Sequence, residues 1–239
     1  MAWSSRVQAI IHRDFPPQTH PYRVFERTLL EHIEPHDTVL EIGCGRGAAE
    51  LLKLKGRART LMGIDIVDFE ISEPSLILIN GSVYNMSNIA TRSIDIAYSR
   101  SVMEHLESVR AAYSEVYRIL KPGGKYLFLT PNFFDYVSLI AYAVPNSLHG
   151  KLVRFVEGRP ELETFPTHYN SNTHYRIRKL AASSKLIIQD FQYLGQYPSS
   201  FIFSDSLFYL AACYEKFLER HSSLHFLRGW ILCILRKTD

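Results

Sequence analysis

The 239-residue sequence predicts an α/β fold, a doubly wound and mostly parallel sheet of seven strands with helices on both faces. Three observations predict it. Five short apolar runs alternate with helical patterns over about residues 36–132, and consecutive apolar residues without alternation indicate strands buried on both faces. A glycine-rich turn follows the first run. The last third adds two further strand candidates, so we expect one domain made of an N-terminal arm and helix (1–35), a core (36–132) and a helical, aromatic extension (133–239).

The elements are expected in the following order. Residues 1–21 contain three prolines and are predicted to form an irregular arm before a helix over 22–34. The five core strands are predicted at 38–42, 60–66, 76–79, 94–99 and 125–130. A helix over 106–120 has an apolar stripe and ends at Pro122 and Gly123, because proline cannot continue a helix. The remaining elements are predicted as a helix at 173–184, a strand at 186–193, a helix at 207–218 and a closing strand, or a continued helix, at 230–235.

Composition excludes several classes of protein. The formal charge of +3 comes from scattered Lys and Arg residues, which argues against a nucleic-acid partner. The three cysteines, Cys44, Cys213 and Cys233, form no CxxC pair, as expected in a reducing compartment. No apolar stretch approaches the ~20 residues of a bilayer-spanning helix. We therefore expect a soluble, cytoplasmic protein.

The strongest local signal is the sequence Glu41-Ile42-Gly43-Cys44-Gly45-Arg46-Gly47 after the first strand. Glycines at this point allow a tight turn and the close approach of a ligand, and the following helix N-terminus favours negative groups. Asp65 ends the next strand, where a carboxylate can accept hydrogen bonds from both hydroxyls of a ribose. The pattern predicts a ligand that carries a nucleoside.

Four blocks together resemble the class I S-adenosylmethionine-dependent methyltransferases. Glu41 is the diagnostic acid two residues before the first glycine, and Asp65 matches the ribose-binding acid of the family. The fourth strand with Met103-Glu104-His105 and the turn Lys121-Pro122-Gly123-Gly124 agree in order and spacing. The Met-Glu-His run and His168 are similar to the branch that includes quinone-biosynthesis methyltransferases. The resemblance covers about residues 36–132 and implies a Rossmann-like methyltransferase fold.

The resemblance also implies that S-adenosylmethionine is the cofactor. Its binding residues are then expected to be Glu41, Gly43, Cys44, Gly45, Gly47, Asp65, Ile66, Ser82, Val83 and Ser99. One position departs from the family pattern, since Asn80-Gly81-Ser82-Val83 stands where relatives often have an aspartate that contacts adenine. The Ser82 hydroxyl or the Val83 main chain is a possible substitute.

The proton chemistry points to two histidines. An alcohol or amine acceptor must lose a proton on methylation, which requires a base with a pKa near neutral. His105 follows the fourth strand and is the first candidate, although it also fits a histidine packed at the start of a helix. His168 is the second candidate. A divalent metal site at Glu104 and His105 has no evident third ligand, so no metal is predicted.

The segment leaving the fifth strand, about residues 133–175, is predicted to be a lid over a small-molecule substrate. It brings aromatic walls from Phe133, Phe134, Tyr136 and Tyr142, followed by the polar run 167–172. A surface loop whose Asn172 or Thr173 caps the next helix is the alternative. Aromatic walls suit a medium-sized organic molecule better than a polymer.

The helix at 207–218 has two interpretations. Its apolar stripe consists of Leu207, Leu210, Ala211, Tyr214, Phe217 and Leu218. Packing into the core is one interpretation. Peripheral docking on a lipid surface, with Phe201, Phe203, Phe208 and Trp230 nearby, is the other.

Two other functions remain open at this point. The glycine pattern also satisfies the GxGxxG/A fingerprint of nicotinamide-dependent oxidoreductases, but no hydride-transfer site is evident. A non-catalytic protein that binds S-adenosylmethionine fits the Ser82 departure and the lack of an unambiguous base.

Overall fold

The computed structural model describes residues 4–143 and 165–238. Its described strands are β1 (Thr38–Ile42), β2 (Thr60–Asp65), β3 (Leu76–Asn80), β4 (Ile94–Arg100), β5 (Leu120–Pro131), β6 (Leu186–Leu194) and β7 (Trp230–Lys237). They form one seven-stranded sheet in the order β3-β2-β1-β4-β5-β7-β6. The predicted seven-stranded sheet is confirmed, and 230–235 belongs to a strand and not to a helix.

The first five strands are parallel, and β7 is antiparallel. Parallel pairing joins β2 to β3, β1 to β2, β1 to β4 and β4 to β5. Gly229, just before β7, accepts a hydrogen bond from the main chain of Asn132 at the end of β5. At the other end of β7, the Lys237 ammonium group donates to the carbonyl of Leu120, where β5 begins. The two strands therefore run in opposite directions.

The described α-helices are α1 (Ser5–Asp14), α2 (Pro21–His32), α3 (Ala49–Leu52), α4 (Val109–Ile119), α5 (Tyr136–Ala143), α6 (His174–Ser183) and α7 (Asp205–Arg220). The predicted helices at 22–34, 173–184 and 207–218 are confirmed within two residues at each end. Helix α4 begins three residues later than predicted, because Met103–His105 form a separate 3₁₀ turn. Strand β5 begins earlier than predicted and has a register irregularity opposite Ile94 and Ile96.

The prediction of an irregular arm over 1–21 was wrong for helix α1. Ser4 caps this helix by accepting a hydrogen bond from the main chain of Val7. Val7 packs against Phe208 and Ala212 of α7, with Ile10 and Ile11 beside them. Pro16 and Pro17 follow the helix and end it, so the prolines punctuate the segment without preventing a helix before them.

The chain divides into two compact units. The sheet unit consists of Phe25–Thr130, Thr167–Gln192 and Leu232–Asp239. The aromatic unit consists of Met1–Val24, Pro131–Pro166 and Tyr193–Ile231. The core of the sheet unit lies on its central strands, where Val39, Leu40, Leu127 and Phe128 are fully buried. The single-domain organisation stays a prediction.

No helix within the described ranges is both long and apolar enough to cross a bilayer. Residues 144–164 of the predicted lid lie outside the described residues, as does the side chain of Tyr142. The lid therefore remains a prediction, and only its two ends lie within the described residues.

Candidate functional site

The glycine loop after β1 is shaped by a main chain that turns through left-handed conformations. Gly43 and Gly45 have φ angles of +76° and +69°, and Ala48 follows at +42°. A Cβ at Gly43 would collide with the side chain of Val102, so a larger residue is excluded there for a second reason. In contrast, a Cβ at Gly45 or Gly47 would meet nothing within 4 Å. The loop therefore presents open space on one side of its main chain.

Asp65 ties the end of β2 to this loop. Its Oδ2 accepts a hydrogen bond from the Gly45 N–H at 2.7 Å, and its Oδ1 accepts one from the Val67 N–H at 3.2 Å. Each carboxylate oxygen keeps a second lone pair, so the group can still accept hydrogen bonds from a diol. The next residue, Ile66, leaves 62% of its surface exposed beside the carboxylate. Asp65 and the loop predicted from the sequence are thus brought together.

Cys44 and Ser99 direct their side chains into the protein interior. The Cys44 thiol is buried, and a Cβ at Gly63 would lie 2.7 Å from its Sγ. Burial raises the pKa of this thiol to about 12, which leaves it unreactive at neutral pH. The Ser99 hydroxyl is fully buried and shares a 2.7 Å hydrogen bond with the Tyr126 hydroxyl. Any ligand contact of these two residues is therefore confined to their main chain.

Glu41 is a buried acid with an unmet hydrogen bond. Its Oε2 is enclosed and has no hydrogen-bond partner. Burial raises the pKa of Glu41 to about 7, and the nearby Tyr98 hydroxyl and Arg100 guanidinium offset only part of this shift. A cavity of about 40 Å³ is lined by Glu41, Tyr98 and Arg100, by residues of α2, and by Glu50, Lys53 and Leu54 in and after α3. An enclosed acceptor beside a small cavity is suited to a ligand group that donates hydrogen bonds.

The loop after β3 is braced against the segment after β4. Ser82 accepts a hydrogen bond from the main chain of Tyr84 at 3.2 Å, and Val83 is half-buried. The Tyr84 hydroxyl accepts one from the Glu107 N–H at 2.9 Å. Tyr84 was missed by sequence reasoning, because a tyrosine three residues after Gly81 has no distinctive spacing.

A buried polar network surrounds Glu104. Its side chain accepts a hydrogen bond from the Thr130 hydroxyl at 3.0 Å, and Thr130 accepts one from the Asn172 amide at 2.7 Å. Thr130 and Asn172 are fully buried. Burial raises the pKa of Glu104, and the nearby His105 counteracts this. Neither Thr130 nor this role of Asn172 was predicted, because residues 42 positions apart in the chain have no sequence signal that pairs them.

The same network brings the two candidate histidines to one region. His105 Nε2 lies 3.9 Å from Glu104 Oε1. The His168 N–H donates to the Glu104 carbonyl at 2.7 Å, and the Tyr169 N–H donates to it at 3.2 Å. His105 is half-buried and the His168 side chain is exposed. Thr173, not Asn172, caps α6.

The metal alternative gains no support from geometry. Among residues 4–143 and 165–238, no group of three or more His, Cys, Asp or Glu side chains is arranged to hold a metal ion.

Comparison with known proteins matches this core to a family. Residues 40–128 match the model described as "Methyltransferase domain". The chain is 28% identical over 136 residues to a sterol 24-C-methyltransferase of Pneumocystis carinii, covering 52% of this chain and 34% of that protein. It is 32% identical over 100 residues to a probable S-adenosylmethionine-dependent methyltransferase of Mycolicibacterium smegmatis, covering 39% and 38% respectively. The chain thus spans between a third and two fifths of these curated relatives.

A solved structure shares the fold. The geranyl diphosphate C-methyltransferase of Streptomyces coelicolor, in complex with S-adenosyl-L-homocysteine, aligns with a TM-score of 0.57. The alignment covers 90% of this chain and 76% of that chain at 15% identity. At this identity the likeness concerns the fold alone.

Proposed function

From the premise that this chain carries a class I S-adenosylmethionine-dependent methyltransferase domain, we propose that it transfers a methyl group to a small, apolar organic acceptor. The observation that carries the proposal is the hydrogen bond from the Gly45 N–H to Asp65, which holds the loop open beside a diol-binding carboxylate. The cofactor is S-adenosylmethionine.

The residues of the sheet unit fit this cofactor. Asp65 accepts from the ribose hydroxyls, and the open side of Gly45 and Gly47 admits the ligand against the main chain. The unpartnered Glu41 oxygen accepts from the ammonium group of the methionine part. The exposed Ile66 and the loop at Ser82 and Val83 contact the adenine. When bound, the cofactor supplies a methyl group already activated by its sulfonium.

His105 takes the proton from an acceptor that has one to lose. Its ring is half-buried, and the Glu104 carboxylate 3.9 Å away stabilises the positive charge that the ring acquires. His168 is the second candidate, held nearby through its own main chain. The chain's contribution to the reaction is alignment, exclusion of water and removal of this proton.

The apolar character of the acceptor has two supports. The relatives named above act on a sterol and on geranyl diphosphate, both of which carry long hydrocarbon parts. The described part of the aromatic unit is rich in aromatic side chains, including Phe133, Phe134 and Tyr136 near the end of β5.

A radiolabelled methyl-transfer assay tests the proposal. Purified protein is incubated with methyl-labelled S-adenosylmethionine and a panel of sterols, isoprenoid alcohols, quinone precursors, phenols and sugar derivatives. We expect transfer to an apolar member, and loss of most activity toward a hydroxyl acceptor in His105→Ala. His36→Ala replaces an exposed histidine elsewhere in the sheet unit and serves as the control. Failure of every acceptor class to take up label, in protein that binds the cofactor, would favour the non-catalytic alternative.

We also propose peripheral contact of α7 with a lipid surface. The predicted apolar stripe is split by the structure: Leu218 is buried with Phe208 and Ala212, whereas Leu207, Leu210 and Phe217 remain 44%, 64% and 49% exposed. Phe208, expected near the lipid, is fully buried, because it packs on Val7 of α1. The outward line of Leu207, Leu210 and Phe217 is what supports docking.

Co-sedimentation with liposomes tests this contact. Leu210→Asp is expected to reduce the bound fraction several-fold, because it places a charge in the centre of the apolar line. Tyr175→Asp removes a comparably exposed ring, 65% exposed on α6, and is expected to leave binding unchanged. Absence of wild-type binding to both neutral and anionic liposomes would contradict the proposal.

A further inference from the structure

A buried polar cluster in the aromatic unit includes none of the residues assigned above to cofactor binding or proton transfer. Asp135 immediately precedes α5, Glu215 lies on the buried face of α7, and Arg228 stands two residues before β7. Asp135 and Glu215 are each only 6% exposed. Glu215 and Arg228 meet beside Gly195, in the loop after β6, whereas Asp135 Oδ1 would lie 3.8 Å from a Cβ at Gly229.

Two atoms of the cluster have no hydrogen-bond partner. Glu215 Oε2 and Arg228 Nε are both enclosed, and neither is bonded to the other or to any described residue. Both face the bare Cα of Gly195, since a Cβ there would lie 3.1 Å from Oε2 and 3.0 Å from Nε. The guanidinium is held in place because its Nη1 donates to the Tyr193 carbonyl at 3.2 Å.

Asp135 has a structural partner of its own, whereas Glu215 Oε2 and Arg228 Nε have none. Its Oδ2 accepts a hydrogen bond from the Val137 N–H at 3.1 Å, so it caps the start of α5. An unsatisfied buried polar group costs about 1–3 kcal/mol, and native proteins leave few of them. An adjacent acceptor and donor that lack partners are satisfied together by one group that both donates and accepts.

The charges of the cluster determine which ligand group that both donates and accepts hydrogen bonds can bind there. Two carboxyl groups, Asp135 and Glu215, disfavour an anion at this place, and the Arg228 guanidinium disfavours a cation. An uncharged hydroxyl meets both demands. Burial, together with Asp135, raises the pKa of Glu215 to about 8, and a hydroxyl can donate to the ionised form or accept from the protonated form.

The surroundings suit an apolar body behind that hydroxyl. The Tyr136 ring stacks on Phe201, with centroids 5.9 Å apart and an interplanar angle of 18°. It also meets Tyr214 edge-on at 5.6 Å. Tyr136 and Tyr214 are sequence neighbours of Asp135 and Glu215, so the aromatic surface adjoins the polar pair.

We propose that the aromatic unit binds an apolar alcohol and places its hydroxyl group between Glu215 and Arg228. That this alcohol is the methyl acceptor, or a part of it, rests on the proposed function. The binding site itself does not, because it is defined by groups of the aromatic unit alone.

Calorimetric titration of the full chain without cofactor tests the site. The probes are octan-1-ol and its isomer 1-methoxyheptane, which accepts a hydrogen bond but cannot donate one. We expect the alcohol to bind about tenfold more tightly, the equivalent of one good hydrogen bond. Octanoate and octylammonium are expected to bind no more tightly than the ether. Equal affinity of alcohol and ether would overturn the proposal.

Variants separate a binding role from a structural one. Glu215→Leu is expected to lower the affinity for octan-1-ol about tenfold while raising Tm at pH 9, because it removes an unpartnered buried carboxyl group. Glu215→Gln keeps a donor and an acceptor and is expected to retain most of the affinity. Glu219→Gln makes the same change on the exposed face of α7 and is the control.

A second variant keeps the test decisive if Glu215→Leu folds poorly. Gly195→Ala places a methyl group against both polar atoms and is expected to abolish preference for the alcohol over the ether. An unchanged preference in Gly195→Ala, or a crystal structure with octan-1-ol that shows only a water molecule between Glu215 and Arg228, would refute the site. Because no turnover is measured, such a failure leaves the methyl-transfer assay unaffected.

Discussion

At the scale of single residues, Asp65 connects loop geometry to cofactor affinity. Its carboxylate accepts a hydrogen bond from the Gly45 N–H at 2.7 Å, and in the proposed function its remaining lone pairs accept from the ribose. Asp65→Ala is expected to weaken S-adenosylhomocysteine binding by about 1.5–3 kcal/mol, roughly 10- to 150-fold, the range for hydrogen bonds to a charged group. Isothermal calorimetry measures this, with Asp190→Ala on β6 as the control. Unchanged affinity in Asp65→Ala would contradict the assignment of Asp65 as the residue that binds the ribose.

The buried carboxyl group of Glu41 leads to a prediction about how the free energy of unfolding depends on pH. Its pKa is about 7 in the folded chain and 4.5 as its ordinary value. Between these pH values the folded chain keeps a proton that the unfolded chain has lost, so the free energy of unfolding falls as pH rises. Glu41→Gln removes this dependence. Without cofactor, we expect it to be more stable than wild type above pH 7, by on the order of 2 kcal/mol, and no more stable below pH 4.5.

Urea unfolding of both proteins at pH 4, 5.5, 7 and 8 measures the difference. Glu219 is exposed on α7, and the Glu219→Gln variant is expected to show no comparable change with pH in its stability relative to the wild type. A Glu41→Gln difference that is the same at all four pH values would mean that Glu41 is not kept protonated by burial.

At the scale of elements, Asn132 fixes the end of β5. This residue is fully buried, and its amide donates to the carbonyls of Phe226 and Arg228 at 2.6 and 2.8 Å. Asn132→Ala is expected to lower the free energy of unfolding by about 3 kcal/mol, because two partly buried carbonyls lose their partner. Asn80→Ala, at an exposed amide that also donates to a carbonyl, is expected to cost less than 1 kcal/mol. Equal effects in chemical denaturation would contradict this account.

Elements were predictable where a local pattern decides them. The apolar runs of β1 to β4 and the glycine loop follow from buried strands and turn chemistry, and they appear where predicted. Helix α1 was not predictable, because its apolar face of Val7, Ile10 and Ile11 is too short to stand out until Phe208 packs on it. The buried face of α7 was not predictable either, since it includes Glu215, a residue that no hydrophobic pattern selects, and of the predicted stripe it includes Leu218 but not Leu207, Leu210 or Phe217.

At the scale of the whole molecule, the positions of some candidate site residues were predictable from local sequence, and those of others depend on long-range contacts. Asp65, the glycines and Glu41 were predictable because they lie within a few residues of strand ends. Thr130, Asn172 and Arg228 were not, because the groups that they contact come from distant parts of the chain. The long-range contacts formed by folding are what turn Glu104 into the centre of a network and bring His168 close to His105 in the fold.

The central claim is that this chain binds S-adenosylmethionine through the loop at Gly45 and Asp65. A thermal-shift measurement with S-adenosylhomocysteine, NADH and buffer tests it most directly. Binding to the folded state alone raises stability by about 2.7 kcal/mol at a ligand concentration of 100 times Kd. We predict that S-adenosylhomocysteine raises the Tm of the wild type and has little effect on the Tm of Asp65→Ala. NADH is predicted to leave both Tm values unchanged. Stabilisation by NADH and not by S-adenosylhomocysteine would contradict the account.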